Sequence, residues 1–101
     1  MSISAITHTA LSGMLAQSTR AGAIANNVAN ASTPGYSRLN TNLQSVEPSG
    51  VQAGVAETDR GVDFATELTD LVETEQSYKA NASVFETGAD LWDVLMSIKR
   101  D

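Results

Sequence analysis

The chain has 101 residues, 42% of them hydrophobic but only 5% aromatic, no cysteine, and a formal net charge of −6. That length holds one small domain, and a chain this short buries only about 60–70% of its unfolded surface, so surfaces left for partners are expected. The absence of cysteine excludes disulfides, thiol catalysis and thiolate metal sites, and the acidic balance argues against a nucleic-acid partner, which needs a basic stripe to neutralise phosphates.

The charge is unevenly spread. Residues 1–56 carry Arg20 and Arg38 against Glu47, a balance of +1, whereas residues 57–101 carry eleven acids against four bases, a balance of −7. Acids on a helix of this kind read first as a solvated face. The first basic residue is Arg20, so the N-terminus has no basic region of the kind that opens a secretory signal peptide. No apolar run approaches transmembrane length, and no membrane insertion is expected.

In chain order, residues 1–32 read as an amphipathic helix. From Ile3 to about Ala31, apolar positions recur at Ile3, Ala10, Met14, Ala21, Ile24 and Val28, with Ile6, Leu11 and Leu15 widening the stripe. At about 1.5 Å per residue this helix is roughly 40 Å long. Gly13 and Gly22 interrupt it, either as weak spots or as points where a neighbouring helix comes close. Pro34 and Gly35 stop it, because proline pushes Thr33 out of the α region and glycine supplies the turn.

Residues 33–62 read as a turn and a short β-containing insertion. Leu39, Thr41 and Leu43 alternate with polar residues, as do Val51, Ala53 and Val55, and Glu47-Pro48-Ser49-Gly50 between them is a turn signal. A β-hairpin or extended arm is expected, and a lone hairpin is marginal in water unless it lies on another element. Residues 63–101 read as a second helix capped by Asp63. Its series Phe64, Leu68, Leu71, Glu75, Tyr78, Ala82, Phe85, Ala89, Trp92, Met96 steps by four and three, and nine of the ten are apolar. That spacing predicts a coiled-coil-like seam. Val72, Leu91, Leu95 and Ile98 broaden it beyond what one partner helix covers, which points to oligomerisation. The fold class is therefore mainly α: two long amphipathic helices in a coiled-coil-like hairpin, joined by a β-containing insertion into one domain.

No constellation carries catalysis. His8 is the single histidine and has no acidic neighbour in sequence until Glu47, too little for a metal site or a triad. Glu73 and Glu75 are two apart and do not share a helix face; Glu75, inside the apolar series, reads as a register or partner-specificity device. No phosphate-cradling glycine loop or nucleophile elbow is present. No catalytic, cofactor or metal-binding residue is expected, and the aromatics share one stripe in the manner of core packing. Asn26, Asn27 and Asn30 read either as polar residues ending a helix or as amides that bond the backbone of a packed neighbour.

The run Ala25-Asn-Asn-Val-Ala-Asn-Ala-Ser-Thr-Pro-Gly-Tyr-Ser-Arg38 resembles the N-terminal signature shared by bacterial flagellar rod, hook and hook-associated proteins, with Asn26, Asn27, Asn30, Thr33, Pro34, Gly35 and Tyr36 as its motif positions. Ala10-Leu-Ser-Gly-Met-Leu-Ala16 is similar to the same family's opening helix, and Leu68 through Ala82, followed by Val84 and Thr87, to its closing helix. Together these cover about two thirds of the chain, at both ends and in the family's order.

The resemblance implies terminal helices that pair in the core of a tubular axial structure, and export through the flagellar type III apparatus without a cleaved signal. Most members carry a large middle domain, whereas about 30 residues separate the helices here; the rod-type members are the shorter ones. Tyr36-Ser37-Arg38 also resembles hook-associated junction proteins. The expectation is a structural subunit of the basal-body rod, with self and other axial proteins as partners. Helix packing and assembly are assigned to Met14, Ile24, Val28, Leu68, Leu71, Tyr78, Phe85 and Trp92. The rival expectation is a soluble helical adaptor or export chaperone for flagellar axial proteins.

Overall fold

The computed structural model describes residues 2–100, with side chains to Ile98. Its elements run α1 (Ile3–Ala29), β1 (Leu39–Ser45), β2 (Val51–Glu57) and α2 (Phe64–Arg100). The helices are antiparallel: Asn27 lies against Glu67, Gly13 against Asn81 and Thr7 against Gly88. The result is a rod-shaped body of 65 × 24 × 14 Å.

α1 starts at Ser2, whose hydroxyl accepts the Ala5 N–H at 3.0 Å and satisfies one of the free donors of the first turn. The helix ends at Ala29, two residues before the expected Ala31. Asn30 closes it with backbone and side-chain N–H groups that both donate to the Asn26 carbonyl. Tight turns from Thr33 to Asn30 and from Tyr36 to Thr33 then reverse the chain, and Gly35 takes a positive φ of 75° that side chains disfavour.

Of the two expectations for the middle segment, the hairpin is realised. β1 and β2 pair antiparallel with Leu43 opposite Ala53 and Ser45 opposite Val51. The hairpin lies along α1, which answers the marginal stability of an isolated pair of strands. Its alternation works on the half-buried positions Leu39, Thr41, Val51 and Ala53, while Leu43 and Val55 remain exposed. Two serines pin the turn: the Val51 N–H donates to Ser12 Oγ at 3.1 Å, and Thr9 Oγ1 donates to Ser49 Oγ at 3.3 Å.

α2 begins as expected at Asp63, whose carboxylate accepts the Ala65 N–H and the Thr66 hydroxyl. The face that α2 turns to α1 is not the apolar series, however. Its buried residues are Glu67, Thr74 and Gly88, with Asp70, Ser77 and Asn81 half-buried between them. Glu67, Thr74, Asn81 and Gly88 each precede a member of the apolar series by one residue, a rotation of about 100° on a helix. The expected seam residues Leu68, Leu71, Tyr78, Phe85 and Trp92 are exposed by 39–59% and flank the contact instead of forming it. The core is made of small side chains: Ala10, Gly13, Ala16 and Ala23, with Ile24 the single large apolar residue among the described residues that are buried.

The two glycines of α1 divide between the two expected roles. A Cβ on Gly13 would sit 2.6 Å from Asn81 Oδ1, so this position is a close approach of the helices, whereas a Cβ on Gly22 would meet nothing within 4 Å. Gly22→Ala therefore stabilises the chain by about 0.5–1 kcal/mol through helix propensity. Gly13→Leu destabilises it by about 1–3 kcal/mol through overpacking. Denaturant unfolding followed by circular dichroism checks both; equal effects of the two substitutions would contradict the close approach.

Candidate functional site

Two features set this chain apart from an ordinary helical hairpin, and both grow from the motif runs. The first is a buried polar clasp. Asn27 is fully buried and uses its whole hydrogen-bonding capacity. Its Nδ2 donates to the Leu39 carbonyl at 2.9 Å and to the Glu67 carboxylate at 3.2 Å. Its Oδ1 accepts the Leu39 N–H and the Tyr36 hydroxyl, both at 2.8 Å. The amide thus pairs with both backbone groups of Leu39 as a neighbouring strand would, and ties the end of α1 to the start of β1.

Glu67, also without exposed surface, takes a charged hydrogen bond from Arg38 Nε in addition to that of Asn27. Arg38 reaches on with its other guanidinium nitrogen to Asp70 Oδ2 at 2.9 Å. Arg20 continues the chain with Asp70 at 3.8 Å and Glu73 at 3.1 Å. Charges alternate along this line, so each buried charge has an opposite neighbour, the condition under which a charge can be removed from water. Lys79 and Glu75 form a separate i,i+4 pair at 3.0 Å on the exposed surface, of small energetic weight.

The motif asparagines divide between the two expected roles. Asn27 bonds the backbone of a packed neighbour. Asn26 and Asn30 serve the helix end: Asn26 donates to the Tyr36 hydroxyl at 2.8 Å, and Asn30 Oδ1 accepts from Thr33 at 3.2 Å. Thr33, Pro34 and Gly35 form the exposed turn that brings Tyr36 back over Asn27. Sequence reasoning missed Arg20, Arg38, Glu67 and Asp70 as a group. The available signal was the charge asymmetry, since the first half's two arginines face a helix with an excess of acids.

The second feature is the exposed apolar stripe. Leu68, Leu71, Val72, Tyr78, Phe85, Trp92 and Met96 are each at least 39% exposed along α2. Grooves form where this stripe borders α1: one beside Gln17, Ala21, Leu71 and Tyr78, another beside Ile3, Phe85 and Trp92. Val84 and Leu91 line a third groove with Ile6, on the opposite flank of α1. Of the expected packing residues on α1, Ile24 is buried, Met14 half-buried and Val28 40% exposed. His8 is exposed. Among the described residues, no group of three or more His, Cys, Asp or Glu side chains could hold a metal ion.

A clasped helical hairpin that offers apolar flanks defines a structural, packing-type subunit. Residues 8–36 match the family described as flagella basal body rod protein, and residues 60–98 match the flagellar basal body rod FlgEFG protein C-terminal family. The flagellar hook protein FlgE of Brucella suis is 46% identical over 50 residues, 50% of this chain and 12% of that protein. The FlgE hook protein of Rhizobium meliloti is 49% identical over 39 residues, 39% of this chain and 10% of that protein. The matched segments therefore span about a tenth of those relatives' length. The chain belongs to the flagellar rod and hook family, whose members are structural components of the flagellum and are not known as enzymes.

The clasp predicts a steep contrast among charge substitutions. Arg38→Met, which strands the buried Glu67 carboxylate, costs about 3 kcal/mol, and Asn27→Leu, which leaves Leu39 and Glu67 without partners, costs at least about 3 kcal/mol. Lys79→Met changes stability by less than about 0.5 kcal/mol. Equilibrium unfolding in urea measures all three, and a cost for Arg38→Met no larger than that for Lys79→Met would refute the clasp.

Proposed function

We propose that this chain is a structural subunit of the flagellar basal-body rod, assembling side by side through its two terminal helices. The observation that carries this reading is the position of the apolar stripe. A helix whose large side chains stay exposed while its small ones pack inward is built to bury those side chains against other molecules. Grooves on both flanks of α1 suit a subunit with neighbours on each side. Heterologous contacts of this kind propagate as a helical array when the rotation does not close.

Family membership supports an axial role, and the internal segment supports the rod position within it. Only residues 37–59, essentially the hairpin, separate the two family segments, in keeping with the small insertions expected of rod-type members. Self and other axial proteins are the partners in this reading. Export proceeds through the flagellar type III apparatus without a cleaved signal, and the site of action is the periplasm-spanning rod. In the described residues no helix is long and apolar enough to cross a membrane. The adaptor or chaperone alternative is not favoured, since the family match is to structural axial proteins at both ends of the chain.

Mass spectrometry of purified hook–basal bodies from the source cells is expected to recover this chain's peptides in stoichiometric amount. Recovery only from the soluble cell fraction would overturn the axial role. At the residue level, Phe85→Ala and Trp92→Ala, expected to cost 3–5 kcal/mol were they buried, cost the isolated chain under about 1.5 kcal/mol at their 39% and 52% exposure. Leu68→Asp leaves the isolated chain's stability within about 0.5 kcal/mol yet removes the protein from basal bodies. Normal incorporation of Leu68→Asp would contradict assembly through this stripe.

A further inference from the structure

Gln17 is only 7% exposed, and its Oε1 is buried without a hydrogen-bond partner. An unpartnered polar atom in a packed interface costs stability, and among the described residues no donor reaches it, so a donor from another molecule would relieve that cost. Gln17 also lines the larger of the two grooves along the stripe, about 610 Å³ between α1 and α2, with Ala21, Leu71 and Tyr78 as its walls and the Glu75–Lys79 pair at its rim. Rotation about the terminal side-chain torsion, which is broad and roughly two-fold, lets either amide atom turn toward the groove.

The accessible area indicates what fills it. The chain exposes 6911 Å², about 1,400 Å² more than the roughly 5,500 Å² of a compact monomer of its mass. That excess exceeds the roughly 800 Å² that each partner buries in a standard protein–protein contact. The exposed large side chains of the apolar stripe lie within that area, and the same stripe on a second copy offers an equally apolar cover.

We infer that a helix from a second copy of this chain seats in the groove beside Leu71 and Tyr78, and that Gln17 is the residue that fixes its register by taking a hydrogen bond from the incoming helix. An apolar stripe alone tolerates sliding by a turn, because Leu, Phe and Met side chains are interchangeable at the contact. A single polar side chain that is satisfied in one alignment only discriminates against the others, as a buried asparagine does in a coiled coil. The inference rests on the self-assembly proposed above and adds to it a specificity-determining residue.

The test compares Gln17→Met with the unaltered full chain, following assembly by sedimentation and lattice order by electron microscopy. Methionine keeps the volume and removes the amide. The isolated variant, held below the assembly concentration, is expected to melt at the same or a higher temperature than the unaltered chain. Its assembly is expected to need at least a tenfold higher concentration, or to give particles without a regular repeat. Ser18→Ala, at the same groove, is expected to assemble normally. On glutamine-labelled unaltered protein, the Gln17 side-chain carbonyl carbon resonance is expected to shift on assembly as Oε1 accepts its hydrogen bond, a readout independent of how the variant folds. A lower melting temperature for isolated Gln17→Met would overturn the inference, since the amide would then be used within the chain. So would normal, ordered assembly of Gln17→Met, or a Gln17 side-chain carbonyl resonance that does not move on assembly. Tyr78→Asp separates the two levels: if it and the unaltered chain behave alike as monomers at all concentrations, self-assembly itself fails. If only Tyr78→Asp stays monomeric while Gln17→Met assembles as the unaltered chain does, the register role alone fails.

Discussion

The burial of the Glu67 carboxylate decides how the two helices face each other. An ionised carboxylate without exposed surface must be paired and hydrogen-bonded, and the groups able to do this are Asn27 at the end of α1 and Arg38 at the start of the hairpin. Turning Glu67 inward at the first turns of α2 sets the rotation of the whole helix. Residues spaced by seven from it, Thr74, Asn81 and Gly88, are then carried onto α1 as well. Leu68, Leu71, Tyr78 and Phe85 are turned to the flank by the same rotation.

The inward face compensates by closeness. Gly13 admits the Asn81 side chain, and Gly88 accepts Thr7, where an added Cβ would collide with the threonine methyl. Small residues let two backbones approach and gain dispersion contacts along their length, yet they remove little apolar surface from water. The core of alanines and one isoleucine is correspondingly thin, so the clasp contributes a larger share of the hairpin's definition than it would in a helical bundle with a leucine core. The apolar area that such a bundle would bury internally is kept for the outside.

The β-hairpin belongs to this economy. It lies on α1, not α2, held by Ser12 and Thr9 at its turn and by Asn27 and Arg38 at its base. Arg38 serves twice: its side chain closes the clasp on α2, while its backbone continues the strand pairing to Thr58 and Arg60. The hairpin thereby covers the side of α1 that carries Ser12 and Ala16 and leaves the stripe-bearing flank open for other molecules.

Local signals in the chain determined a good deal of this protein. Apolar spacing gave both helices, period-two alternation around Pro48-Ser49-Gly50 gave the hairpin, Asp63 marked the start of α2, and the asparagine-rich run with Pro34-Gly35 identified the family. Each depends on residues near one another in sequence, where spacing maps directly onto geometry. Tertiary structure alone decided which face of α2 meets α1. Periodicity places Leu68, Leu71, Tyr78 and Phe85 on one stripe but does not say whether that stripe points toward its own helical partner or away from it. The answer came from residues 40 apart, Asn27 and Glu67, whose pairing outweighs the apolar pattern because an uncompensated buried charge costs more than leaving leucines at a surface that a neighbour can cover.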